Sequence, residues 1–198
     1  MVKRLIVATH NAHKTGEIQA ILGDFFDLIE DLTSIPDLKP PVEDADTFAG
    51  NSAIKALAAS MERPDALIIA DDSGLEVDAL GGAPGIYSSR FSGETATDAS
   101  NREKLLADLA GIPAPRTARF RCVVSVAQGN KVIASFDGKV EGEIADSMTG
   151  DGGFGYDPLF IPEGHDRSFG ELSEEIKNGM SHRGRALEQF KKWLQGRS

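Results

Sequence analysis

Apolar positions change period from segment to segment along this chain, and those changes mark out its elements. Residues 3–8, two cations followed by the apolar run Leu5 to Ala8, predict a strand. Ile18, Ile21 and Leu22 then recur at helical spacing over 12–22 and stop at Gly23. A strand near 26–30 and a helix over 47–60 follow, the latter with Phe48, Ile54 and Leu57 on its apolar face. Next come a strand at 67–71, a glycine-rich loop at 81–93 and a helix at 98–110. Strands near 119–127, 131–137 and 139–145 precede a loop at 149–158, a short strand, and a closing helix from about 182 to 194. That last helix buries Leu187, Phe190, Trp193 and Leu194. Helices and strands alternate early and strand pairs dominate late, which predicts an α/β fold with a mixed sheet and helices on both faces. Segments 24–46 and 111–118, which hold Pro36, Pro40, Pro41, Pro113 and Pro115, are the only candidate linkers, and no repeat or low-complexity tract interrupts the pattern.

The strand at 67–71 ends on two adjacent carboxylates, Asp71 and Asp72, followed by Ser73, Gly74 and Leu75. Successive strand side chains point to opposite faces, so the acids share one cleft only if the strand breaks between them. Otherwise one faces a site and the other braces the backbone behind it. Acids at the end of a buried strand are costly unless they meet a metal or a cation. A turn or helix cap formed by Asp72-Ser73-Gly74 is the plainer alternative.

Similar signals stand elsewhere. Between the first strand and first helix lies the turn Thr9-His10-Asn11-Ala12-His13-Lys14. A helix amino terminus holds anions through backbone N–H groups and the helix dipole, and a cation such as Lys14 in that first turn costs roughly 0.3–1 kcal/mol unless an anion faces it. A bound polyphosphate or a neighbouring acid such as Glu17 meets that requirement; the turn lacks the glycine-rich consensus of a P-loop. Asp46 or Thr47 can cap the second helix, Asn51 and Lys55 share one face of it, and Glu43 sits in the loop before it, free to reach a metal. Ser181 can cap the closing helix, whose first turn carries His182 and Arg183, again cations that want an anion or carbonyl opposite. Phe154 and Tyr156 sit among glycines, either exposed for stacking on a base or with one ring tucked into the core.

Composition narrows the setting. At 198 residues and 40% hydrophobic, the chain suffices for one compact domain or two closely joined lobes. A single cysteine, Cys122, excludes an internal disulfide and reads as a buried, inert thiol in a reducing compartment. The amino-terminal residues lack a signal-peptide core and no apolar run approaches membrane-spanning length, so a cytoplasmic location without a membrane partner is expected. A formal charge of −10 argues against nucleic-acid binding and requires that any anionic substrate meet clustered cations and a metal.

Taken in order, these segments resemble the family of pyrophosphatases that cleave inosine, deoxyinosine and xanthosine triphosphates. The matching motifs are Thr-x-Asn-x-x-Lys-x-x-Glu at Thr9 to Glu17, Glu-x-x-x-Thr-Phe-x-x-Asn at Glu43 to Asn51, Lys55-Ala56, and Asp71 to Leu75. Gly81-Gly82-Ala83-Pro84-Gly85 leading to Ser89-Arg90, Gly152-Gly153-Phe154-Gly155-Tyr156-Asp157-Pro158, and Lys177 before Ser181-His182-Arg183-Gly184 complete the series, which spans nearly the whole chain. Two departures are visible: Ala45 where the family usually has glycine, and Gly50-Asn51-Ser52 where it favours Glu-Asn-Ala.

The resemblance implies a long mixed central sheet with two lobes and an active-site cleft between them, the whole of 1–198 acting as a single nucleoside triphosphate pyrophosphatase domain. It implies hydrolysis at the α–β phosphate bond with Mg2+ held by Glu43 and Asp72. Asp72 would take the proton of the attacking water, with Asp71 in support. Thr9, His10, Asn11, Ala12, His13, Lys14 and Ser73 would hold phosphate. Phe154, Gly155, Tyr156, Asp157, Lys177, His182 and Arg183 would take the base and part of the phosphate chain, and a homodimer is implied by analogy. Two other classes compete: a metal-dependent nucleotidyl- or glycosyltransferase, which needs an acceptor, and a nucleotide sensor, which releases no pyrophosphate.

Overall fold

A computed structural model describes residues 3–197 of the chain. Six strands form one mixed sheet in the order β2-β1-β3-β4-β5-β6: β1 (Arg4–Val7), β2 (Leu28–Glu30), β3 (Leu67–Val77), β4 (Thr117–Gln128), β5 (Lys131–Ile144) and β6 (Phe160–Pro162). The helices are α1 (Ala12–Leu22), α2 (Phe48–Glu62), α3 (Asp98–Asp108), α4 (Glu174–Met180) and α5 (His182–Gln195). The strand β1 pairs in parallel with β2 and β3, whereas β5 and β6 are antiparallel. The chain forms two compact units, one of residues 1–72, 122–138 and 183–198, the other of 73–121 and 139–182. Among the described residues no helix is long and apolar enough to cross a membrane.

In the first unit, strand alternation sorts the core into two layers. Leu5, Val7 and Ile69 face α1 and α5 and pack with Ile18, Leu22, Leu187 and Phe190. Ile6, Ala8, Ile68 and Ala70 face the other way and pack with Ala56 and Ala59 of α2. The expected apolar stripe of α2 is corrected here: Ile54 and Leu57 are only half-buried, and the buried face is Phe48, Asn51, Ser52, Ala56, Ala59 and Ser60. Small side chains let the helix lie close to the sheet, and the Oγ atoms of Ser52 and Ser125 meet 2.7 Å apart in the interior.

The loop before α2 explains the sequence's departures from the family pattern. Thr47, rather than Asp46, caps the helix by accepting from the Gly50 N–H. A Cβ built on Gly50 would lie 2.5 Å from the Cβ of Ala45, closer than carbon atoms approach. Ala45 therefore requires glycine at position 50, and the two departures compensate each other. Gly50→Ala should lower the thermal midpoint despite alanine's better helix propensity, and Ala45→Gly in the same chain should recover it and add up to ~1 kcal/mol. Thermal unfolding of both single variants and the double variant measures this coupling; strictly additive effects would exclude it.

The second unit packs Leu105 and Leu109 of α3 against Leu75, Val77, Phe120, Val140, Phe160 and Phe169. Three expectations change with the structure. The strand expected to end at residue 71 runs on to Val77, because Asp71 and Asp72 project to opposite sides and the backbone has no need to turn. The strands expected at 131–137 and 139–145 are one strand through Gly138. The helix α4, seven residues capped by Ser173, was not expected.

Candidate functional site

The register of β3 carries its alternation into chemistry. Asp71 continues the row of Ile69 toward α1 and α5, and Asp72 continues the row of Ile68 and Ala70 toward α2. Each acid meets a cation from the helix on its own side.

Asp71 is 3% exposed. Lys14 of α1 reaches its Oδ2 at 3.0 Å, and Arg183 of α5 donates to the same oxygen from Nε at 3.3 Å and Nη2 at 2.9 Å. Arg183 also donates to Glu17 through Nη1. Burial by itself raises a carboxyl pKa, but Lys14, Arg183 and Lys55 together hold that of Asp71 well below the usual carboxylate range. Asp71 is a fixed negative charge. Lys14 pairs with it rather than with Glu17, and both Lys14 and Arg183 find in these carboxylates the anion that their first-turn positions require. Cys122 lies on the same side, its Sγ 3.9 Å from Asp71, and burial beside that charge pushes its thiol pKa far up, as an inert thiol requires.

Asp72 differs in its partners and in the direction of its pKa shift, although Asp71 likewise keeps one buried oxygen, Oδ1, without a hydrogen-bond partner among the described residues. Its Oδ1 accepts from Lys55 Nζ at 2.9 Å, and Lys55 also reaches Glu43 at 3.0 Å. Its Oδ2 is buried with no hydrogen-bond partner among the described residues. Burial raises the Asp72 pKa above the ordinary value against the pull of Lys55 and Lys14. Burial also works against the Lys55 charge, but Asp72, Asp71 and Glu43 keep that lysine's pKa above its usual value. Two neighbouring carboxylates are thus driven apart in basicity. Asn51 fixes the loop that carries Glu43 by accepting from the Ala45 N–H at 3.1 Å. No group of three or more His, Cys, Asp or Glu side chains able to hold a metal occurs among the described residues. Glu43 and Asp72 nonetheless offer an oxygen donor set with one unsatisfied buried atom, which suits a hard cation that keeps part of its water shell.

The turn before α1 is well ordered by its own side chains. Asn11 caps the helix, its Oδ1 accepting from the N–H groups of His13 and Lys14, and Thr9 Oγ1 accepts from Asn11. Two of the N–H groups expected to face phosphate are therefore engaged by Asn11. His10, Ala12 and His13 are exposed; Thr9 and Ser73 are half-buried.

The remaining expected residues belong to the second unit, apart from Arg183. Asp157 is 3% exposed, and its Oδ2 accepts from the Phe154 N–H and from Lys177 Nζ, both at 2.8 Å. Lys177, supplied by α4, also lies 5.0 Å from the centre of the half-buried Phe154 ring. A Cβ on Gly153, whose φ is +71°, would run into the Asp157 carboxylate, so both its conformation and its position call for glycine. Of the two readings of the loop's rings, Tyr156 takes the one tucked into the core: it is 4% exposed and its hydroxyl donates to the Ser88 carbonyl at 2.9 Å. His182 is buried and stacks on Phe120 with ring centres 4.9 Å apart. Lys55 and Asn51 carry no expected role from the sequence, and Glu17 is expected only as a partner for Lys14. Their signal was visible as helical spacing, Asn51 four before Lys55 and Glu17 three after Lys14.

The mixed sheet flanked by helices, with adjacent acids handed to cations on opposite faces of β3, defines an α/β protein. The Ham1 family model matches residues 5–193, and the chain belongs to that family. It is 43% identical over 198 residues to a dITP/XTP pyrophosphatase of Shouchella clausii, with 98% of each chain covered. It is 47% identical over 185 residues to a dITP/XTP pyrophosphatase of Desulforamulus reducens, covering 93% of this chain and 92% of the relative. The Ham1 protein of Staphylococcus aureus superimposes with a TM-score of 0.87 at 39% identity, over 99% of this chain and all of the other.

Proposed function

We propose that this protein is a nucleoside triphosphate pyrophosphohydrolase that converts dITP, ITP and XTP to the monophosphate and pyrophosphate. The observation that carries the reading is Asp72: a raised carboxyl with one unsatisfied oxygen, gripped by Lys55 beside Glu43, while its neighbour Asp71 is locked in ion pairs. Asp72 accepts the proton of the attacking water as the water oxygen bonds to phosphorus, and the α–β phosphate bond breaks with pyrophosphate leaving. Asp71 holds Lys14 and Arg183 in place. Lys14, Lys55, Ser73 and the turn at Thr9 to Lys14 take the phosphates. Phe154, Gly155, Tyr156, Asp157, Lys177, His182 and Arg183 form the base side, with Tyr156 contributing through its backbone because its side chain lies in the core. Glu43 and Asp72 would hold Mg2+, which when bound supplies charge neutralisation for the phosphates. The chain acts as one catalytic domain, as a homodimer, on the cytoplasmic nucleotide pool.

Incubating the pure protein with a panel of nucleoside triphosphates and magnesium, and measuring pyrophosphate, tests the reading directly. Release from inosine and xanthosine triphosphates with water alone is expected. A requirement for an acceptor would instead mark a transferase, and binding without release a sensor.

Lys14→Ala should raise KM for the triphosphate about ten-fold, the scale of one lost charged contact. It should also lower the thermal midpoint, because Asp71 loses one of the cations that offset its burial. Steady-state kinetics and thermal unfolding check both; an unchanged KM would remove Lys14 from the phosphate site.

A further inference from the structure

The loop Phe154 to Asp157 is held from inside by Asp157, but it is also held from outside by α3, a helix that carries none of the site motifs. Asp98 and Arg102 stand four apart on α3, on one face. The carboxylate of Asp98 accepts from the Gly155 N–H at 2.8 Å, and Arg102 Nη1 donates to the Gly155 carbonyl at 2.7 Å. One residue of the loop is therefore gripped at both of its peptide groups by oppositely charged side chains. Gly155 adopts φ +59°, the left-handed region, and a Cβ there would meet nothing within 4 Å. Glycine is needed for conformation and not for space, so something must hold that conformation against the wide range open to glycine.

The grip is itself anchored. Asp98 is the first residue of α3 and Thr97 caps that helix through a reciprocal capping box with Ser100, so the acid rides on a fixed helix end where negative charge is favoured. Arg102 Nε also contacts Met148 Sδ at 3.3 Å, which steadies the guanidinium from the segment preceding the loop. Two charge-assisted hydrogen bonds to one residue outlast a single neutral one, and they set the direction of the peptides on either side of it. One of those peptides joins Phe154, the ring beside Lys177, to Gly155.

We infer that Asp98 and Arg102 are positioning residues for base recognition: by clamping Gly155 they orient the Phe154 ring and the Phe154 to Asp157 backbone toward the purine. This rests on the base-side reading of that loop given above. Neither residue touches the reacting atoms, so the clamp should govern KM and base preference and leave the chemical step alone.

The test uses the full chain with magnesium and inosine, adenosine and guanosine triphosphates, comparing Arg102→Ala, Arg102→Lys, Asp98→Ala, Asp98→Asn and Phe154→Ala. Arg102→Ala is expected to raise KM for inosine triphosphate roughly ten-fold, the scale of one lost hydrogen bond from a charged donor, with kcat within about two-fold. Its preference for inosine over adenosine should shrink. Arg102→Lys and Asp98→Asn keep a donor and an acceptor respectively and should recover most of the KM lost in the alanine variants, which a general loss of stability would not produce. If Arg102→Ala and Asp98→Ala fold with unchanged KM and preference while Phe154→Ala changes both, the clamp is overturned and the loop reading stands. If Phe154→Ala also leaves both unchanged, the loop reading falls and the clamp with it. Should the alanine variants not fold, unchanged KM and preference in folded Arg102→Met, which keeps the length of the side chain but has no donor for the Gly155 carbonyl, would equally overturn the clamp.

Discussion

Asp72→Asn should reduce turnover by at least ~10²-fold while leaving the fold intact, as expected for losing a general base. Asparagine preserves shape and can still accept from Lys55, but it removes the basic oxygen and the negative charge. Asp71 cannot substitute. It lies on the other face of the strand, and Lys14 and Arg183 hold it as a weakly basic carboxylate. Stability should respond in the opposite direction to activity. The native pKa of Asp72 is raised, so its protonated form stabilises the fold at low pH and that contribution is lost as pH rises through the raised value. The variant should therefore gain on the wild type as pH increases. Pyrophosphate release at saturating magnesium, with thermal unfolding across pH, measures both effects. Near-normal turnover in a folded variant would transfer the base role to another group.

Arg183→Ala should lower stability by about 3–5 kcal/mol, the cost of stripping the partner from buried charge, and the thermal midpoint by on the order of 10 °C. Arg183 is 1% exposed, and its removal leaves Asp71 with Lys14 and leaves Glu17 without its guanidinium contact. The sign with pH follows from the depressed native pKa of Asp71. Its ion pairs stabilise the fold above the unfolded carboxylate value, about 4, and that stability is lost as pH falls toward the native value. The gap between wild type and variant should accordingly narrow on acidification.

The same variant addresses base choice. On the base-side role proposed for His182 and Arg183, an N–H donor would face the 6-keto oxygen of inosine and xanthosine, whereas adenine presents a donor there; an unpaired group costs about 1–3 kcal/mol, roughly 5- to 150-fold in discrimination. Measured kcat/KM on inosine, adenosine and guanosine triphosphates should show the inosine preference eroding in Arg183→Ala. Arg183→Lys restores a charge but not the planar fork, and should recover stability more than preference. An equal fall on all three substrates would confine Arg183 to bracing Asp71, with base selection elsewhere.

The sequence by itself determined the elements that depend on local periodicity. The first strand, α1, α3 and α5 fall close to where their apolar spacing put them, and the Thr47 cap is one of the two that the short polar side chains before α2 allowed. It also fixed which residue types gather near the strand-end acids, because the motifs occur in order. What it could not supply was partnership. Whether Lys14 pairs with Glu17 or Asp71 depends on how α1 packs on β3, since both acids lie within reach of a long flexible side chain. Whether Asp72 ends a strand or continues it depends on cations waiting on both faces of the sheet, which are remote in sequence at positions 14, 55 and 183. The glycine neighbours of Phe154 and Tyr156 leave open whether both rings are exposed or one is tucked into the core, and the structure makes Tyr156 the tucked ring, its hydroxyl donating to the Ser88 carbonyl. The compensation between Ala45 and Gly50 is likewise a matter of two carbon atoms brought together by a capped loop. Local pattern decides what a segment becomes; which charge meets which, and so which carboxylate is left basic, is decided only by the tertiary structure, because Coulomb forces and burial act through space and not along the chain.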